Sequence, residues 1–236
     1  MLKAIFFDLD NTLCDCRKAD EITYGLTMEF ASKKCPEIDS LKLKNLYMKY
    51  IDEKPFDPKG IIPVFEWRTN LWNDSLIKQK INNINLAKLI NNFFYTNRLK
   101  YFKFDPGVED MLSYLAKKYK LALITNGDSE IQRPKVESCE AENFFGKNIL
   151  IGGDYSEEKP HVSIFQKACN MVSCKPDEAI HIGDSIDTDI IGGINAGLKA
   201  TVLVKHDTKP INSDRAKPDY VIDNVCKLIE ILDIIE

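Results

Sequence analysis

Apolar residues recur along this chain with two different periods, and the switch between them divides it. Ala4-Ile5-Phe6-Phe7 is a short run of strand formers, followed by Asp8 and by Asn11-Thr12. It predicts a buried strand that stops abruptly. After Asp15 the spacing turns helical. Ile22, Leu26, Met28 and Phe30 predict one helix, and Leu41, Leu43, Leu46, Tyr47 and Tyr50 a second. Pro55, Pro58, Gly60 and Pro63 break the chain, and residues 64–76 and 86–95 then carry helical periodicity again. Asn82, Asn83, Asn85, Asn91 and Asn92 enrich this stretch in amides. Ile and Leu interleave with them at helical spacing, which predicts order.

Pro106-Gly107 closes the helical block, and from there the two periods alternate strictly. Helices are predicted over 108–119, 130–142, 161–171, 187–196 and 226–235. Strands are predicted over 121–124, 149–151, 179–182, 200–204 and 220–222. Alternation of this kind implies a parallel sheet with helices on both faces. The fold class expected is α/β: a Rossmann-like doubly wound parallel sheet with an inserted all-helical cap domain. Residues 1–13 and 104–236 would form the core and 14–103 the insert.

This organisation gathers the polar residues that could do chemistry. Alternate residues of a strand share a face, so Asp8 and Asp10 emerge together at the carboxyl edge of the first strand, where open α/β sheets bind ligands. A lone Asp-x-Asp pair could equally be an acidic turn. Here three further strand ends carry polar groups. The strand ending at Ile124 gives Thr125, Asn126 and the Gly127 amide, and Lys159 lies on the loop before a helix. The strand ending at Ile182 gives Asp184, with Asp189 five residues on. Asp8, Asp10 and Asp184 form a hard oxygen set suited to Mg²⁺. Hydroxyl, amide and ammonium donors suit a phosphoryl group. Asp8 can then act as nucleophile through an aspartyl-phosphate. Asp10 can protonate the leaving oxygen and later deprotonate water.

Composition removes several other function classes. A net charge of −4 with no Lys/Arg tract gives no field for nucleic acid. No apolar run approaches the roughly 20 residues of a membrane span, and no secretory pattern opens the chain, so a cytoplasmic location is expected. Seven cysteines without a C-x-x-C spacing read as reduced thiols, and three scattered histidines make no metal site. The partner expected is a small-molecule phosphate ester; no obligate protein partner is indicated.

The strings Asp8-Leu9-Asp10-Asn11-Thr12-Leu13, Ile124-Thr125-Asn126-Gly127, Lys159-Pro160 and Gly183-Asp184-Ser185 with Asp189 resemble the four motifs of the haloacid dehalogenase-like hydrolase superfamily. The helical insert resembles that superfamily's cap, and the likeness covers essentially the whole chain. It implies that Asp8, the Leu9 carbonyl, Asp10 and Asp184 share the nucleophile, acid/base and Mg²⁺ roles. It implies that Leu9, Thr125, Asn126, Gly127 and Lys159 hold the phosphate. Asp189 would orient Lys159 or a metal-bound water.

Within the superfamily, Asp10 favours ester hydrolysis over dehalogenation, because an alkoxide needs a proton on leaving and a halide does not. Asn11-Thr12 weakens a phosphosugar mutase reading. Longer strings, such as Gly152-Gly153 leading to Glu157-Glu158 and Gly192-Gly193 leading to Asn195-Ala196-Gly197, resemble the branch acting on N-acylneuraminate 9-phosphate. In the insert, Arg68-Thr69 followed by Trp72 is similar as well. Arg68 would pair the sugar-acid carboxylate and Trp72 would offer an apolar face. The alternative is a surface arginine in an i,i+4 pair and a core tryptophan. Gln132, Arg133 and Lys135 are either specificity residues or a polar helix face. Other phosphate esters remain open, as does a phosphoryl-binding protein without activity.

Overall fold

The first strand, β1 (Ala4–Phe7), is buried along its whole length, as a strand covered on both faces must be. In this computed structural model, which describes residues 1–57, 60–206 and 216–235, it lies at the centre of a six-stranded sheet. Four helices follow it: α1 (Cys16–Lys34), α2 (Ser40–Glu53), α3 (Val64–Ile77) and α4 (Ile84–Tyr101). Then come α5 (Val108–Leu115), β2 (Lys120–Thr125), α6 (Ser129–Ser138), α7 (Glu142–Phe145), β3 (Ile149–Ile151) and α8 (Val162–Val172). The chain ends with β4 (Ala179–Gly183), α9 (Ile191–Asn195), β5 (Ala200–Val204), β6 (Tyr220–Ile222) and α10 (Leu228–Ile235).

All pairings are parallel and the strand order is β3-β2-β1-β4-β5-β6. The order therefore reverses between β1 and β4, which makes the crevice beyond their carboxyl ends a ligand site by topology alone. Register aligns the motifs there. Phe7 lies beside Leu123 on one side and Ile182 on the other, and the Asp8 N–H donates to the Ile182 carbonyl at 2.9 Å.

The chain divides into two compact units, Met1–Asp15 with Lys103–Glu236, and Cys16–Phe102. The second has its own core, in which Tyr24, Tyr47, Leu71, Trp72, Ile90 and Phe94 pack together. Two of its asparagines have plain structural roles. Asn83 caps α4 by accepting from the Leu86 N–H at 3.0 Å. Buried Asn91 donates to the Phe65 carbonyl and to the Thr69 hydroxyl, both at 3.0 Å, tying α4 to α3.

The elements depart from the predicted ones at several places. The helix expected over 130–142 is interrupted, because Glu140 takes a left-handed backbone (φ 52°) between α6 and α7. The helix expected over 108–119 stops at Leu115, so that the chain can turn into β2 at Lys120. The helix expected over 187–196 opens with a π-helical turn, Ile186–Ile190, before α9. Such wide turns concentrate at functional sites, and this one carries Asp189. No disulfide is formed among the described residues; the Cys14 and Cys139 thiols touch at 3.3 Å. None of the described helices is long and apolar enough to cross a membrane.

Candidate active site

Asp8, at the first position beyond β1, is buried and its Oδ1 accepts from the Lys159 ammonium at 2.7 Å. The same ammonium donates to Asp189 Oδ1, also at 2.7 Å. Lys159 is 2% exposed and Asp189 1%, so one buried cation lies between two buried carboxylates. Asp189 has further partners: His181 Nε2 at 2.8 Å and the Ser185 N–H at 3.1 Å. Gly183 makes room for this carboxylate, since a Cβ there would come within 2.1 Å of Asp189 Cγ.

Charge is distributed unevenly over this group. Burial works to raise Asp189, but Lys159 and His181 outweigh it and hold the carboxyl well below its usual range. Burial pushes Asp8 up to about 7; Lys159 opposes this, while Asp189 and Asp10 add to it. Burial also works to lower the Lys159 ammonium, yet the two carboxylates hold it above its usual value. Asp184 is raised by burial and by Asp189. His181 is lowered, by burial first, and stays neutral near pH 7. Asp8, the candidate nucleophile, is thus left short of positive charge.

Oxygen atoms of Asp8, Asp184 and Asp189 all lie within 4.8 Å of one another. The set differs from the expected Asp8, Asp10 and Asp184. Asp10 Oδ2 accepts instead from Lys135 Nζ at 2.6 Å and Gln132 Nε2 at 3.0 Å. Within this group Asp189 is engaged by Lys159, His181 and Ser185, and Asp8 by Lys159. Hard oxygens and an under-compensated nucleophile fit Mg²⁺.

Two main-chain groups among the candidates have partners within the fold. The Leu9 carbonyl accepts from the N–H groups of Thr12, Leu13 and Cys14 at 3.0–3.4 Å, which closes the loop after β1. The Gly127 N–H, in a left-handed turn (φ 109°), donates to Glu158 Oε2 at 2.8 Å. Asn126 spends both ends of its amide on the Lys159 backbone, donating to its carbonyl at 2.7 Å and accepting from its N–H at 2.9 Å. It fixes the lysine loop. Thr125 Oγ1 accepts from Gln132 Nε2 at 2.8 Å, which leaves its own proton for an acceptor.

Of the residues with a proposed role in specificity, Arg133 is tied to Asp154, with Nη2 contacts of 2.8 and 3.1 Å. Arg68 Nη1 donates to the Tyr47 hydroxyl at 3.2 Å. Trp72 is 0% exposed and stacks on Tyr47 at 3.6 Å between centroids, within the core of the helical unit. It has no ring face left for a sugar, so the core reading holds for Trp72. Sequence reasoning missed His181, whose only signal is a polar residue within the apolar strand β4.

The sequence model of a family described as haloacid dehalogenase-like hydrolase matches residues 2–197. The human protein N-acylneuraminate-9-phosphatase is 34% identical over 245 residues, which cover 100% of this chain and 95% of that one. A glyceraldehyde 3-phosphate phosphatase of Pyrococcus furiosus is 29% identical over 237 residues, 98% of this chain and 93% of its own. Among solved structures, a 2-haloacid dehalogenase from Pseudomonas syringae superposes with a TM-score of 0.70 at 24% identity, covering 99% of both chains.

Proposed function

Because this chain belongs to the haloacid dehalogenase-like hydrolases, we propose that it is a Mg²⁺-dependent phosphomonoesterase working through an aspartyl-phosphate on Asp8. The observation that carries the reading is the second carboxylate, Asp10, braced separately from the Asp8–Lys159–Asp189 group. One acid is kept for proton transfer and another for attack. Asp8 attacks phosphorus, and Asp10 gives its proton to the departing alkoxide. Asp10 then takes a proton from the water that attacks the aspartyl-phosphate, which restores both carboxyl groups. The Lys159 ammonium and the Thr125 hydroxyl stabilise charge on the phosphoryl oxygens. Asp8 and Asp184 would hold Mg²⁺, which when bound offsets the negative charge of nucleophile and phosphoryl group.

The pH dependence follows from Asp8. Its folded value, about 7, lies above the ordinary 3.8, so its protonated form stabilises the folded apoprotein, and this contribution is lost as pH rises through about 7. Cation binding must displace that proton. Added Mg²⁺ is therefore expected to raise Tm more at about pH 8 than at about pH 5. Thermal melts with and without Mg²⁺ check this; an equal rise at both pH values, or none, would count against the assigned ligands.

For the substrate we propose N-acylneuraminate 9-phosphate. The reading is supported by identity to the human N-acylneuraminate-9-phosphatase along the entire chain. Arg68 is proposed as the partner of the sugar-acid carboxylate: its Nε is buried and without a hydrogen bond among the described residues, and a guanidinium binds carboxylates in bidentate fashion. The Pyrococcus furiosus relative favours glyceraldehyde 3-phosphate as the second reading. Phosphate release from a panel of N-acylneuraminate 9-phosphate, glyceraldehyde 3-phosphate and neutral sugar phosphates separates them. In Arg68→Ala, kcat/KM for the sialate ester should fall about 10-fold or more relative to a neutral ester. An unchanged ratio would sink the carboxylate role.

A further inference from the structure

Lys135 is 4% exposed, an unusual place for a lysine on a helix near a ligand crevice. Burying an ammonium is costly unless a carboxylate and hydrogen bonds compensate it. Its Nζ reaches Asp10 Oδ2 at 2.6 Å. Gln132, three residues earlier on α6 and therefore on the same face, reaches the same oxygen at 3.0 Å. Gln132 Nε2 also meets Thr125 Oγ1 at 2.8 Å and the Asn126 carbonyl at 2.7 Å. The amide thus links Asp10 to the end of β2. A second contact fixes the same two segments: Cys14, four residues after Asp10, touches Cys139, four residues after Lys135, at 3.3 Å. Loop and helix are pinned at both ends of the interaction.

Resting on the reading above, we infer that Lys135, braced by Gln132, is a positioning residue that holds the Asp10 carboxylate for its two proton transfers. Held at Oδ2 by Lys135 and Gln132, the Asp10 carboxyl gives a proton to the departing alkoxide as the Asp8–phosphorus bond forms. It later takes a proton from the attacking water as that bond breaks. Nothing in this scheme requires Lys135 to touch substrate. Its effect is confined to steps in which Asp10 moves a proton, and that confinement distinguishes it from general structural support.

Leaving-group dependence reads this directly. An alkyl phosphate needs Asp10 to protonate its alkoxide; p-nitrophenyl phosphate releases a stable anion and does not. In Lys135→Met, kcat/KM for the alkyl ester is expected to fall about 10²-fold, with p-nitrophenyl phosphate changed by less than about 3-fold. With p-nitrophenyl phosphate the variant should show a burst of p-nitrophenolate, because hydrolysis of the aspartyl-phosphate still needs Asp10. Should Lys135→Met fail to fold, Gln132→Leu removes the brace together with its contacts to Thr125 and Asn126, which bear on both esters alike, and should show the same split at smaller size. Equal losses on both esters, or none on either, would overturn the assignment. A wild type inactive on both esters would overturn the phosphomonoesterase reading together with it.

Discussion

The Asp8→Asn protein is expected to lose turnover, with kcat reduced at least about 10⁴-fold, while melting no lower than the wild type. The two halves of this expectation have one origin. Asp8 sits where its ionised form is uphill, since burial raises its carboxyl to about 7 despite Lys159. An amide of nearly the same shape removes the charge that has to be buried, and Lys159 keeps its 2.7 Å contact with Asp189. Sites shaped for reactivity commonly cost stability in this way. Steady-state phosphate release and thermal melts at about pH 8 measure both. Retained activity would end the nucleophile assignment, and a large fall in Tm would contradict the electrostatic account.

Lys159→Met is expected to damage activity and stability together. The ammonium is the shared partner of Asp8 and Asp189, and removing one member of a buried ionic group costs about 3–5 kcal/mol, because the charges left behind are uncompensated. For a chain of this size that corresponds to a Tm lower by on the order of 10 °C. Loss of a donor to the phosphoryl oxygens should lower kcat by a further 10² or so, roughly the effect of deleting one electrostatic stabiliser. Melting curves and kinetics at saturating Mg²⁺ check the pair of effects. A Tm within about 2 °C of the wild type would show that the buried carboxylates do not depend on Lys159.

These contrasting outcomes also mark what the sequence could and could not reveal. Strands such as Ile149–Ile151 and Ala200–Val204 are legible because continuous apolar runs between turn residues allow little else. Asp8, Thr125 and Asp184 are legible because each stands at or just beyond a strand end, and topology brings strand ends together; Lys159 is legible from its place on the loop between β3 and α8. Lys135 and Gln132 are not legible in the same way. On a short helix, two polar residues three apart read equally as a solvated face, and only the packing of α6 turns that face toward Asp10. Trp72 illustrates the converse, since its spacing from Arg68 fits either a binding face or a core, and its stacking on Tyr47 decides for the core.

The insert shows the limit of composition as a guide. Three of its asparagines do three different things: Asn83 is an N-cap, Asn91 a buried tie between helices, and Asn97 donates to the Phe93 carbonyl at 2.8 Å. Each answers a local need of the backbone. The break at Glu140 and the π-helical turn at Asp189 were hidden for a related reason, since both are imposed by where the next segment must go rather than by local propensity.

The most direct test of the central claim is to trap the intermediate. Protein turning over p-nitrophenyl phosphate with Mg²⁺ is quenched in acid, reduced with borohydride and mapped by mass spectrometry. The account predicts conversion of Asp8, and no other carboxylate, to homoserine, dependent on both substrate and Mg²⁺. Steady turnover with Asp8 unmodified, or with another residue carrying the label, would contradict it.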